Sequence, residues 1–320
     1  VTVRLINVDP DDYRAHPIHG DGRIWPETNC YVDLWVEVLH SLGMDPLPVL
    51  APALAADFDG RQWKFLKVQP EDLFDLYGIE VGEMNVWKPV LEHISDNCEA
   101  GILSTVEVDG YWLPDTSGTS YRREHTKTTV VPNYVDTGRR VLEYFHNGGY
   151  YRLVDADFDG LFGAFSRAMP PYVEQVFLGR GKPGANYDVG IALAHKYLER
   201  RPKENPVAEM GAFVIDQIPW LASEGIDVFH DWSFGTLRQC GATAEIAADF
   251  MRYLDARGVS DADHAARAFD SVAGALKAIQ FQVARAANGR GASSLPDAFD
   301  HAAQAWSAAF FHTTCALSLI

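Results

Sequence analysis

The sequence predicts an α+β protein in two parts: an N-terminal helix on a small antiparallel sheet, then an all-α helical bundle. Three observations carry this. Val32, Trp35, Val36, Leu39 and Leu42 fall at helical spacing in one early segment. Between residues 101 and 153, β-branched and aromatic residues gather in short runs separated by turn signals. From about Asp155 onward, alanine and leucine at a 3.6-residue period dominate. A single boundary is therefore expected between Asp155 and Pro171, with an α+β domain over residues 1–160 and a helical domain over 161–320.

Each element has a local reason. Residues 3–8 alternate as a strand does. Residues 16–26 are polar and turn-rich. His16 and His19 followed by Asp21 are too sparse for a metal site, and a surface loop is the simpler reading. The early helix begins near Cys30, with Thr28 or Asn29 as N-cap, Gly43 at its end and Pro46 just beyond. Residues 47–54 are apolar and broken by proline, and residues 63–68 read as a strand. Pro70, the acids after it and Gly78 frame a short helix, and residues 86–97 suit another. Strands follow at 101–109, 126–134, 139–146 and 149–153, the last two joined by an Asn147-Gly148-Gly149 turn. Helices are expected at 157–169, 189–201, 207–223, 236–257, 261–287 and 296–316, with no internal repeat of fixed period.

Composition narrows the function. The 320 residues are 47% hydrophobic and 22% charged, ordinary for a globular protein with a sizeable core. No run approaches the ~20 apolar residues of a membrane span, and Val1 to Leu5 lack the apolar core of a signal peptide. Cys30, Cys98, Cys240 and Cys315 are scattered without a CxxC pair. That argues against a zinc ribbon or a disulfide framework and for a reducing cytoplasm. A net charge of −17 excludes the usual nucleic-acid binder.

The chemistry-bearing residues form a pattern. Cys30 sits in a first helical turn, where orphan N–H groups and the positive end of the macrodipole favour a thiolate. A nucleophilic cysteine needs a base and an orienting partner. His125 opens one strand and Asn147 ends the next, so an antiparallel pair sets them at one end of the sheet. Cys30, His125 and Asn147 then follow the order of papain-like enzymes. His146 is the rival base, and alternation turns it away from Asn147. Asp155 and Asp157 are reserve orienting partners. The plainer alternatives are a buried Cys30, a surface His125 and an Asn147 that serves its turn. Cys240 reads as core, with Arg238 as a cap or bridge.

Val108-Asp109-Gly110-Tyr111-Trp112-Leu113-Pro114, then Tyr121 and His125, resemble the N-terminal domain of butirosin biosynthesis protein H and its relatives. Those are papain-like acyltransferases that move an acyl group from a carrier-protein thioester to an amine. Over nearly its whole length the chain is similar to a bacterial family, domain of unknown function 1839. The resemblance lies in Asn29-Cys30-Tyr31-Val32-Asp33-Leu34-Trp35, Leu113-Pro114-Asp115-Thr116, Tyr144-Phe145-His146-Asn147-Gly148-Gly149-Tyr150-Tyr151 and Thr236-Leu237-Arg238-Gln239-Cys240-Gly241-Ala242. Genes of that family often lie beside amino acid:carrier-protein ligases, which implies an aminoacyl thioester on a phosphopantetheine arm as substrate. No permanently bound cofactor is implied. The papain-like glutamine before the cysteine is missing, because the first glutamine is Gln62. Asn29, Arg23 or the Trp25 indole would have to replace it as oxyanion donor, and Asp109 and Asp115 would position the His125 loop.

The leading expectation is thus a cysteine-dependent acyl- or aminoacyltransferase. A peptidase, amidase or thioesterase of the same fold is the first alternative, and a non-catalytic carrier-binding scaffold the second. An acidic carrier docking on a chain of charge −17 needs a local basic patch. Arg122, Arg123 and Lys127 flank His125 and are the candidates, ahead of Arg139 and Arg140.

Overall fold

The runs of β-branched and aromatic residues do build one antiparallel sheet in the computed structural model, which describes residues 4–26, 29–165, 169–182, 186–289 and 293–318. The chain divides into two compact units, each made of separate segments. The first takes residues 1–20, 30–46 and 68–186; the second takes 21–29, 47–67 and 187–320.

The first unit is α+β. Its elements are α1 (Cys30–Ser41), α2 (Pro70–Tyr77), β1 (Glu80–Glu83), α3 (Val90–Glu99), β2 (Leu103–Asp109), β3 (Lys127–Asp136), β4 (Val141–His146), β5 (Gly149–Val154), α4 (Asp155–Gly163) and β6 (Val173–Phe177). The sheet order is β1-β6-β2-β3-β4-β5, and every neighbouring pair is antiparallel. One face carries Val106, Val130, Leu142, Tyr144, Leu153 and Val173, packed against Val90 and Ile94 of α3 and Phe158 and Leu161 of α4. The other face meets α1, whose Tyr31 hydroxyl donates to Glu174 at 2.9 Å. Glu174 pairs with Thr105, one step out of phase with the apolar pair Val173 and Val106, so it points away from α3 and α4.

Two expectations for this first unit need correction. The boundary at 160/161 lies too early, because β6 is beyond Pro171 and yet sits inside the sheet, between β1 and β2. A five-residue strand holding Glu174 and Gln175 gives too short a pattern to stand out from helical surroundings. For the same reason α4 belongs to the sheet domain, through Phe158 and Leu161. Residues 4–8 form no strand either. The backbone of Leu5 and Ile6 is held instead by Asn133, which lies at a β-bulge in β3. Its Oδ1 accepts from Ile6 N at 2.6 Å and its Nδ2 donates to Ile6 O at 2.9 Å.

The second unit is helical: α5 (Asn186–Glu199), α6 (Pro206–Glu224), α7 (Ile226–Ser233), a π-helical turn over Phe234–Arg238, α8 (Gln239–Asp255), α9 (Ala262–Ala287) and α10 (Leu295–Leu317). The segments 21–29 and 47–67 join it because they carry large apolar side chains. Trp63 is buried edge-on to Trp306 at 5.5 Å. The only pairing found among residues 63–68 is an isolated bridge from Trp63 to Phe58, so the expected strand there is absent. The Trp25 indole lies against Gly241, where any Cβ would overlap it, and its N–H donates to Ala273 O at 3.0 Å. That contact accounts for a glycine inside α8, a position that otherwise favours alanine. Cys240 is fully buried beside it, as expected of a core residue. No described helix is long and apolar enough to cross a membrane.

Candidate active site

Cys30 is the first residue of α1 and keeps partial exposure. Its thiol faces the Thr128 hydroxyl and the Thr129 N–H, which both favour the thiolate. Burial pushes the thiol above its usual range, and those two groups and Lys127 offset the push only in part. The expected thiolate is therefore not the resting form. The desolvation that disfavours the charged sulfur outweighs the helix terminus, so a base has to remove the proton during reaction.

Strand register supplies that base. Val131 of β3 pairs with Phe145 of β4. Side chains alternate, so Thr128 and His146 project together on the opposite face. β4 ends at His146, and Thr128 lies past that end. The Thr128 hydroxyl is 2.7 Å from His146 Nε2, and His146 Nδ1 is 2.5 Å from Asp115 Oδ2. With Nδ1–H donating to the carboxylate, Nε2 accepts from Thr128, and the Thr128 oxygen can then take a proton from Cys30. His146 and the Asp115 side chain are both almost fully buried. The other Asp115 oxygen accepts from the Tyr144 hydroxyl. Burial and that carboxylate push the Tyr144 phenol well up, which keeps it a donor.

The loop holding Asp115 is itself fixed. Leu113 is fully buried, and Asp115 follows it in a 3-10 turn, Pro114–Thr116. Thr116 donates to Leu113 O at 2.9 Å and accepts from Ser120 Oγ at 3.0 Å. Farther along, Tyr121 donates to Asp157 at 2.9 Å, and Arg122 pairs with the same carboxylate. The Arg122 guanidinium also lies 4.4 Å over the Trp112 ring.

The residues read from sequence divide accordingly. Cys30 and Asp115 are in this network, but His125 and Asn147 are not. His125 precedes β3, its side chain is 72% exposed, and its Nδ1 is bonded to Asp109 Oδ2 at 2.6 Å. It stacks on Tyr111 at 4.5 Å. Asp109 also accepts from Tyr111 N, so it braces this outer corner. Asn147 stands in the two-residue β4–β5 turn at φ 47°, the left-handed region that asparagine tolerates, and serves the turn. The oxyanion candidates are engaged within the helical unit. Trp25 donates to Ala273, Asn29 donates to Leu66 O at 2.8 Å, and Arg23 binds Asp249 at 2.7 Å. Of the docking candidates, Arg122 pairs with Asp157 and Lys127 with Glu107, while Arg123 is exposed. The basic patch is thus largely neutralised by acids of its own domain. Asp155 and Asp157 bind arginines rather than a histidine.

A second histidine lies along the same helix. His19 Nε2 is 3.2 Å from Asp33 Oδ1, and its Nδ1 pairs with Glu37, which also accepts from Tyr13. Asp33 and Glu37 follow Cys30 on α1 at one- and two-turn spacing. The ring packs on Gly148, where a Cβ would stand 2.7 Å from Cγ. Burial alone would lower the His19 pKa, but the two carboxylates raise it from an ordinary 6.5 to about 9. Both nitrogens are held and the ring is charged at neutral pH, so His19 is a poor base. It is a structural cation instead. Its stabilisation is complete below about pH 6.5 and is lost as pH rises through about 9. Denaturation midpoints should therefore decline across that window, and His19→Gln should flatten the decline.

The DUF1839 N-terminal domain matches residues 14–178, and the DUF1839 C-terminal domain matches 184–313. The chain belongs to the DUF1839 family. The first match ends just after β6, which agrees with a sheet domain that runs past residue 160. No curated protein matches the chain. The signal for His146 and Asp115 lay in two stretches that carry the family resemblance, Leu113 to Thr116 and Tyr144 to Tyr151.

Proposed function

We propose that the protein is a cysteine-dependent acyl- or aminoacyltransferase, fed by a phosphopantetheine thioester on a carrier protein. The observation that carries this reading is the hydrogen-bonded chain Thr128–His146–Asp115, whose Thr128 hydroxyl faces Cys30. Cys30 sulfur attacks the thioester carbonyl. Its proton passes to Thr128 Oγ1 as the Thr128 hydroxyl proton passes to His146 Nε2, and Asp115 stabilises the imidazolium. The Cys30 N–H, unpaired within its helix at the first position, serves the oxyanion. The carrier thiolate leaves and takes the proton back along the same path. An amine then attacks the acyl-Cys30 thioester and gives its proton to His146, which returns it to the departing sulfur. Four free cysteines suit a cytoplasmic setting. The resemblance adds an amino acid:carrier-protein ligase as the enzyme that loads the carrier.

The test is release of carrier thiol from a loaded carrier, with an amine present and the product identified. Wild-type protein should release thiol and form amide, and Cys30→Ala should release none. Thr128→Val keeps the shape but breaks the relay, and should slow release by about 10²-fold, the lower range for a proton-transfer group. Thr128→Ser should stay near wild type. Full activity in Thr128→Val would remove Thr128 from the path, and free acid as sole product would make the enzyme a hydrolase.

A further inference from the structure

We propose that Asp261, His264 and His312 form a binding site for one divalent transition-metal ion of Zn2+ type in the helical unit. Asp261 is the N-cap of α9, at φ 68°, yet its carboxylate accepts no backbone N–H from the first helical turn. Aspartate at an N-cap ordinarily makes that bond. Here Oδ1 faces two imidazoles instead: His264 Nδ1 at 3.1 Å and His312 Nδ1 at 3.8 Å. His264 lies one turn along α9, and His312 comes from α10.

His312 Nδ1 is buried and has no hydrogen-bond partner. At 3.8 Å it is too far from Asp261 for one. A simple His–Asp pair accounts for His264 but leaves this nitrogen unexplained. An ion inside the triangle satisfies all three groups at once. Tetrahedral ligands at 2.0–2.1 Å from a metal stand about 3.4 Å apart, and the two distances to Asp261 bracket that value. The three ligand atoms all lie within 4.8 Å of one another, so small rotations close the set. His264 has room for them, because its side chain is 59% exposed. Two imidazoles and one carboxylate suit Zn2+, Co2+ or Ni2+ and not Ca2+ or Mg2+, which prefer oxygen throughout. Water would fill the fourth position. The ion would tie the start of α9 to α10.

The test is titration of the full-length, metal-free protein with Co2+, followed by its visible ligand-field absorption, then competition with Zn2+. One Co2+ per chain should bind, without a thiolate charge-transfer band, and Zn2+ should displace it. Asp261→Asn and His312→Gln should each weaken binding by more than the roughly 10- to 100-fold typical of losing an outer-shell partner. Zn2+ should raise the thermal midpoint of the wild-type protein and leave that of His312→Gln unchanged. All these variants should match the metal-free wild type by circular dichroism. No saturable Co2+ binding, or equal binding and equal thermal shift in His312→Gln, would overturn the site.

Discussion

His146→Ala is expected to lower turnover of an acyl-thioester substrate by about 10²–10⁴-fold, the range that general acid–base catalysis supplies. His125→Ala should leave it within about two-fold, since exposed substitutions change free energies by roughly 0.5 kcal/mol or less. The contrast follows from where each ring lies. His146 is buried, with Nε2 on Thr128 and Nδ1 on Asp115. His125 is open to solvent and tied to Asp109. His19, which lies along α1, cannot stand in for His146, because Asp33 and Glu37 hold both of its nitrogens. Steady-state rates on a small thioester check this, and a large loss in His125→Ala with little in His146→Ala would reverse the assignment.

Asp115→Asn is the second large effect. The amide is nearly isosteric and keeps a partner for Tyr144, so the loop should hold its place. It no longer stabilises an imidazolium, and it can present N–H to Nδ1 and so favour the wrong tautomer. A loss approaching about 10⁴-fold is known for an orienting carboxylate changed in this way, and a loss of at least 10²-fold is expected here. Tyr144→Phe removes one bond to the carboxylate and should cost about 0.5–1.5 kcal/mol, roughly two- to ten-fold in rate. Both variants should be read against thermal stability. A stability loss with rates intact would make Asp115 and Tyr144 a structural pair.

The fold was legible wherever local pattern and tertiary role agree. The helix at Cys30, the four strands between 101 and 154 and the long α9 and α10 follow from periodicity alone. β6 was hidden because its place in the sheet is a long-range pairing that no local run announces. Residues 4–8 look like a strand, yet a side chain, Asn133, supplies their partner. At the site, Cys30 was readable from its helix start. The base was not, because two histidines stand near the same end of the β3–β4 pair. Choosing between them needs the register, which sets His146 with Thr128 and lets the chain before β3 carry His125 outward. Asp115 and His146 are 31 residues apart and meet through a 3-10 turn. The resulting order, Cys, Asp, His, is not the papain order, and a nucleophile–base–acid set is recognised by geometry and not by sequence position.

In the proposed reaction Cys30 becomes acylated with help from His146. The direct measurement is intact-mass analysis of the protein mixed with an aminoacyl-loaded carrier and quenched in acid. A gain equal to the acyl group, mapped by proteolysis to Cys30, is expected. It should be absent in Cys30→Ala and much slower to appear in His146→Ala. An adduct confined to Cys98, Cys240 or Cys315, equal acylation rates in wild type and His146→Ala, or no adduct beside a verified loaded carrier would contradict it.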